Sequence, residues 1–149
     1  MTHYSINCFP SLPFLDQVTA LHLAAIYSSD SVVEALVKAG AEVDARDGDQ
    51  KTPLHHAAAC YNVGATLKAL IDHGADVGAQ DEDQQTPMHV AAQHSSVSVV
   101  KALLEAGADV GAQDVDEKTP LDYAALCSMG STLKVLEEAV ANVNAQDQK

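Results

Sequence analysis

Histidine and cysteine are concentrated in the middle of the sequence, where they could support metal binding or thiol chemistry. Imidazole and thiolate are the common ligands of zinc. A catalytic thiolate needs a neighbouring base that lowers its pKa. His56, four residues before Cys60, is the local candidate for that base. The residues that raise these two possibilities are His55, His56, Cys60, His73, His89 and His94.

The thiols are better explained as structural side chains. Cys8, Cys60 and Cys127 are odd in number and widely spaced, which is typical of reduced cysteines in an intracellular protein rather than of a disulfide framework. A cysteine near the end of a helix is more often a small packed side chain than a nucleophile. We therefore predict a cytoplasmic or nuclear location and no thiol catalysis.

Acidic residues recur in short loops without the surroundings of a catalytic or calcium site. We expect residues 81–83 and 114–117, which include Asp81 and Asp114, on exposed turns with no apolar pocket to raise a carboxyl pKa. The segments D-E-D-Q-Q and D-V-D-E-K lack the glycine and the final glutamate of an EF-hand loop. The sequence thus predicts no catalytic residues, no enzyme activity and no cofactor.

Composition narrows the range of partners. The chain has 149 residues and a net charge of -13, which opposes binding to nucleic acid or to anionic lipid surfaces and favours basic partners. Its residues are 47% hydrophobic but only 4% aromatic, so the core must be aliphatic. No apolar run approaches the ~20 residues that a membrane helix needs, and we predict no membrane insertion.

The elements that must position these side chains are set by an internal repeat. The motifs T-A-L-H-L-A-A, T-P-L-H-H-A-A, T-P-M-H-V-A-A and T-P-L-D-Y-A-A start 33, 34 and 33 residues apart. We number the repeats that contain these motifs copies one to four; the motif threonines are Thr19, Thr52, Thr86 and Thr119. A threonine before a proline is a favourable helix start, and a glycine follows the second apolar stretch in copies one to three.

This pattern resembles the ankyrin repeat family, whose T-P-L-H-x-A motif recurs every 33 residues. The resemblance covers residues 19–149 and implies a mainly α-helical solenoid of stacked antiparallel helix pairs with β-turn or hairpin fingers. The expected repeats are 19–46, 47–80, 81–113 and 114–149, preceded by an irregular segment, 1–18, that is either a cap or disordered. In copy four, Val140 stands where the other copies have glycine, and Asn144 takes the position at which the next finger would start.

The resemblance also assigns the motif histidines to structure. In that family the histidine of T-P-L-H hydrogen-bonds between repeats, and His22, His55 and His89 occupy this position, with Asp122 in copy four. The remaining histidines, His56, His73 and His94, are too scattered for a four-ligand zinc site. We predict no metal.

A binding surface follows from the family pattern, in which finger tips and first helices form a concave face that grips another protein. Eleven of the 21 acidic residues lie in the finger regions 44–49, 76–83 and 109–117, which favours a basic peptide or protein surface. The expected function is a non-enzymatic protein-interaction scaffold. The positions that we expect to contact the partner are Tyr27, Gly48, Asp49, Lys51, Cys60, Glu82, Asp83, Gln85, Gln93, His94, Val115, Asp116 and Lys118.

Two other functions remain open on sequence alone. Uncapped terminal repeats could stack on further copies, which would make the chain an assembly element that exists as a monomer or in weak end-to-end association. Some ankyrin repeats are hydroxylated on a finger asparagine, and Asn144 alone matches that position.

Overall fold

The computed structural model describes residues 17–27, 29–60, 64–94 and 97–147. Cys8 and most of the expected N-terminal segment lie outside these residues. Over the described ranges the chain forms helices joined by turns, without strands. The helices are α1 (Ala20–Ile26), α2 (Asp30–Lys38), α3 (Pro53–Ala58), α4 (Gly64–Asp72), α5 (Pro87–Gln93), α6 (Val97–Glu105), α7 (Pro120–Leu126) and α8 (Gly130–Asp147).

Each first helix begins at the threonine of its motif, as predicted. Thr52 is the N-cap of α3 in extended conformation, and Pro53 takes the first helical position, where its missing N–H is not needed. The third helical residue completes the cap, because the Thr52 N–H donates to Nδ1 of His55 at 3.1 Å. A histidine thus does the work that glutamate or glutamine does in an ordinary capping box.

The second helices of copies one to three end at a glycine in the left-handed conformation. Gly40, Gly74 and Gly107 have φ angles of +96°, +90° and +89°. In copy one, the N–H groups of Gly40 and Ala41 donate to the carbonyls of Val37 and Leu36, the pair of bonds that defines a Schellman motif. The finger therefore leaves the helix at a fixed angle in each of these copies.

The second helix of copy four does not end in this way. Val140 replaces the glycine, and a β-branched residue does not adopt the left-handed conformation without strain. α8 accordingly continues through Val140 to Asp147 as an 18-residue helix. The expectation that Asn144 starts another finger is wrong, because Asn144 lies inside this helix.

The helices stack in two rows, and neighbouring copies share their core. α1 packs on α3, α3 on α5 and α5 on α7, while α2, α4, α6 and α8 form the second row behind them. Small residues let the first helices approach closely: Ala25, Ala58 and Ala92 are fully buried at the junctions. The core is aliphatic as expected, and the solenoid class is confirmed.

The fingers are tight turns closed by backbone hydrogen bonds. In the second finger, Gln84 N–H donates to the Asp81 carbonyl and Asp81 N–H donates to the Gln85 carbonyl, both at 3.0 Å. Gln84 has a φ of +60°, as the third residue of a three-residue hairpin loop requires. Gln50 and Glu117 repeat this geometry with φ angles of +62° and +61°.

Because glutamine pays a steric cost in the left-handed region, we expect Gln84→Gly to stabilise the protein. Relief of about 1 to 2 kcal/mol of strain, less the added entropy of glycine in the unfolded chain, leaves a gain of about 0.5 kcal/mol in the free energy of unfolding. Urea denaturation measures it. Gln80→Gly is the control, since Gln80 has no positive φ and should lose stability. Destabilisation by Gln84→Gly would contradict the strain argument.

Candidate functional site

A buried aspartate holds each finger turn from inside. Asp47 Oδ1 accepts from the N–H groups of Asp49 and Lys51, at 3.0 and 2.9 Å. Asp81 and Asp114 make the same pair of bonds in the next two fingers. The expectation that Asp81 and Asp114 are exposed is wrong, because their carboxylates turn inward to satisfy the finger N–H groups. Each of these finger turns is therefore held by hydrogen bonds within the protein itself.

The charge on these carboxylates is stabilised by their donors. Burial raises the pKa of Asp47, but hydrogen bonds from His56 and from the N–H groups of Lys51 and Asp49 outweigh it and lower the pKa to about 2. In Asp114, burial is likewise outweighed by hydrogen bonds, the largest from Tyr123, and its pKa is lowered. Both groups are anions at neutral pH and serve the fold.

The motif histidines join neighbouring copies. His55 Nδ1 accepts from Thr52 N–H, so Nε2 carries the ring proton and donates to the Gln85 carbonyl of the next copy at 2.9 Å. His22 and His89 make the same bond to the carbonyls of Lys51 and Lys118. These contacts confirm the structural role that the family resemblance implied.

His22, Asp47 and His56 come together under the first finger, with potential ligand atoms within 4.8 Å of one another. His56 Nε2 lies 2.7 Å from Asp47 Oδ2. Both nitrogens of His22 are already engaged, with Thr19 N–H and with the Lys51 carbonyl. A metal at His22 would have to displace a bond that joins copies one and two. The geometry is that of a hydrogen-bond network within the fold.

A second polar network links copies three and four. Tyr123 donates its hydroxyl hydrogen to Asp114, and the Gln85 side-chain amide donates to the Tyr123 oxygen at 2.9 Å. The hydrogen bond to Asp114 raises the pKa of Tyr123 to about 12. Gln93 donates to Gln85 Oε1 at 3.2 Å, which connects α5 to the finger. Gln85 and Gln93 are therefore held in place at the surface.

The finger tips are exposed and lie in register. Glu82 N–H donates to the Asp49 carbonyl at 3.1 Å, and Val115 N–H donates to the Asp83 carbonyl at 3.0 Å, so consecutive fingers are tied through their backbones. Most predicted finger positions face solvent: Gly48, Asp49, Glu82, Asp83, Val115 and Asp116 are exposed, and Lys51, Gln85 and Lys118 are partly buried.

The predicted contact positions at the ends of the first helices differ in how exposed they are. Tyr27 is exposed at the end of α1, and Gln93 and His94 are partly buried at the end of α5. Burial lowers the pKa of His94. Cys60 does not belong to the contact surface, because only 2% of it is exposed and its thiol donates to the Ile26 carbonyl of copy one. Packing between copies covers a position that the family pattern placed on the surface.

The structure divides the acidic residues of the finger regions into buried and exposed groups. Of the eleven in the finger regions, Asp47, Asp81 and Asp114 are buried and used internally. Three more, Asp44, Asp76 and Asp109, each accept a hydrogen bond from a backbone N–H group. The exposed tips carry the other five: Asp49, Glu82, Asp83, Asp116 and Glu117. Sequence reasoning missed this division, although the recurrence of Asp47, Asp81 and Asp114 at the repeat period was a signal for it.

The stacked helix pairs, the inter-copy histidine bonds and the turn-shaped fingers define a repeat scaffold whose exposed surface is available for binding. A family model for ankyrin repeats in three copies matches residues 3–81 and again residues 56–147. The chain belongs to the ankyrin repeat family, whose members are generally protein–protein interaction modules and typically not enzymes. A comparison with curated protein sequences gives no match.

No helix in the described ranges combines the length and the apolar character that crossing a bilayer requires.

Proposed function

We propose that this chain is an adaptor that binds a basic segment of another protein along its finger tips and the adjoining ends of α1 and α5. The observation that carries the proposal is the row of exposed carboxylates on turns that are already rigid. Their register is set by backbone bonds between fingers rather than by the side chains themselves. A partner therefore meets ordered charge and need not organise the fingers, which lowers the entropy cost of binding.

The five exposed carboxylates of the tips outnumber the three cations of the finger regions, Arg46, Lys51 and Lys118. Arg46 donates to the carbonyls of Gln50 and Gln80, which holds its guanidinium beside the base of the fingers. Lys118 lies over the Tyr123 ring, 5.7 Å from its centre. An excess of negative charge at the tips should speed the encounter with a basic surface and make binding sensitive to salt. Val115, 51% exposed, adds an apolar contact among these charges.

A charge reversal at the tips tests the proposal. In Asp83→Lys/Asp116→Lys we expect the affinity for a lysine- and arginine-rich peptide to fall at least about tenfold at low salt, because like charges then face each other. The fold should persist, since these residues contribute backbone rather than side-chain bonds to the fingers. Fluorescence anisotropy at low and high salt measures the affinity.

Asp72→Lys/Glu105→Lys is the matched control, because it makes the same charge change at two exposed positions, on α4 and α6, outside the fingers. Equal loss of affinity in the two proteins would show a general effect of net charge and would reject the finger surface. Wild-type binding that is indifferent to salt would reject the electrostatic basis. We also propose an intracellular location, which the odd number and wide spacing of the three cysteines support.

A further inference from the structure

The end of the stack at copy four presents a face that is covered in every earlier copy. Ala125 is exposed, whereas its equivalents Ala25, Ala58 and Ala92 are fully buried by the next first helix. Leu126 is 66% exposed, whereas its copy-one equivalent Ile26 is 5% exposed. With Lys118 and Asp122, these two residues line an open notch of about 480 Å³. We call these four residues the end notch.

The end notch has a hydrogen-bond acceptor at the position where each internal junction has a donor. At each internal junction a histidine N–H donates to the carbonyl of the residue before the next threonine. Copy four has Asp122 at this position, and a carboxylate can only accept. Its Oδ2 atom receives the N–H and hydroxyl of Thr119, at 2.8 and 2.9 Å. These bonds from Thr119 lower the pKa of Asp122, so it is an anion at neutral pH.

This reversal disfavours another ankyrin repeat as the occupant. In a head-to-tail stack of two chains, the carbonyl of Val18, which precedes Thr19, would take the place that Lys51 has in the first junction and would face Asp122. Two acceptors would then meet in a closing interface, and neither would have a hydrogen atom to share. The Asp122 carboxylate needs a hydrogen-bond donor instead, and an ammonium or guanidinium group makes the strongest such bond.

The shape of the end notch points to a helix. The first helices pack on one another at every internal junction, so the notch is one side of a helix–helix contact with small residues at its centre. The finger beside it adds the exposed acids Asp116 and Glu117. We propose that the end notch docks a helix of a partner protein, with apolar side chains on Leu126 and Ala125 and a lysine or arginine on Asp122. This surface borders the row of finger tips at Asp116 and Glu117 but is centred on α7 rather than on the fingers.

A designed peptide provides the probe. We would use an alanine-based amphipathic helix of about 16 residues, long enough to be partly helical in water, with leucines on one face and a lysine one turn away at its edge. Its twin carries glutamate in place of lysine. NMR spectra of the labelled protein should show shifts at Asp122, Ala125 and Leu126 with the lysine peptide. Binding of the glutamate twin should be at least about tenfold weaker, because its charge faces Asp122.

Two variants separate the charged and apolar contributions. Asp122→Asn keeps an oxygen for the Thr119 bonds but removes the charge, and we expect about fivefold weaker binding of the lysine peptide. Leu126→Ala should weaken it about tenfold. Asp72→Asn, at an exposed site on α4, is the charge-matched control and should bind like wild type. Asp83→Lys should also keep the binding, since it alters the finger surface alone.

Several results would overturn the proposal. They are equal binding of the two peptides, an Asp122→Asn variant that binds as tightly as Asp72→Asn, and shifts confined to the finger tips. Sedimentation of the protein alone gives a further test: concentration-dependent association that Leu126→Ala abolishes would show that a second copy occupies the end notch. Because the finger variants are measured separately, failure here would leave the finger-tip proposal standing, and the reverse also holds.

Discussion

Leu70→Ala is expected to lower the free energy of unfolding by about 3 kcal/mol, a large fraction of the stability of a chain of this size. Leu70 lies on α4 with no exposed surface, in the core shared with the second helices of the neighbouring copies. Truncation removes the buried methyl groups and leaves a cavity that the flanking helices cannot close. Because each copy depends on its neighbours for its core, the loss should spread beyond copy two.

The matched control is the same chemical change at the end notch. Leu126→Ala removes identical atoms from a side chain that is 66% exposed, and we expect a change within about 0.5 kcal/mol. Urea denaturation followed by circular dichroism compares the two variants. Similar losses would mean that Leu126 is covered in solution, which would contradict both the open end notch and its role as a docking surface.

Mild acid should destabilise the protein because two of its buried histidines are neutral in the folded state. Burial lowers the pKa of His55 to about 4 from its usual 6.5, and it lowers the pKa of His22 as well. Between pH 4 and pH 6.5, His55 is protonated in the unfolded chain but neutral in the folded protein. Stability from His55 is therefore complete above pH 6.5 and is lost as the pH falls to about 4. The shift corresponds to about 3 kcal/mol.

Comparison with His55→Gln isolates this contribution. Glutamine can serve at the third position of a capping box and offers both an acceptor and a donor, but it does not titrate. We expect the loss of stability between pH 7 and pH 4 to be about 3 kcal/mol smaller in His55→Gln than in wild type. Chemical denaturation across this pH range measures both proteins. Parallel pH profiles would show that His55 is not buried in its neutral form between copies.

The large structural features followed from local sequence signals. The threonine before each proline predicted where α3, α5 and α7 begin, and Gly40, Gly74 and Gly107 predicted where the second helices end. These signals depend on backbone conformations and hydrogen bonds within one turn of chain, so they can be recognised without neighbours. The continuation of α8 obeys the same rule, because Val140 lacks the conformational freedom of glycine.

The contact surface was predicted less completely. The finger tips Asp49, Glu82 and Asp83 are exposed as the repeat pattern indicated. Cys60 is covered, and Asp81 turns inward, because packing between copies and unpaired N–H groups decide where these side chains lie. Neither influence can be seen in the immediate sequence of one repeat. The pattern of exposed charge, on which the proposed binding depends, therefore needed the structure.

The sequence by itself determined the repeat, the family and the helix boundaries marked by Thr-Pro motifs and glycines, since period, caps and glycine positions are properties of short segments. The tertiary structure decided which equivalent residues do different work. Ile26 is buried while Leu126 is exposed, and His89 bridges two copies while Asp122 lines the open end notch. The physical reason is that burial and hydrogen-bond pairing belong to the junction between copies, and one repeat carries only half of each junction.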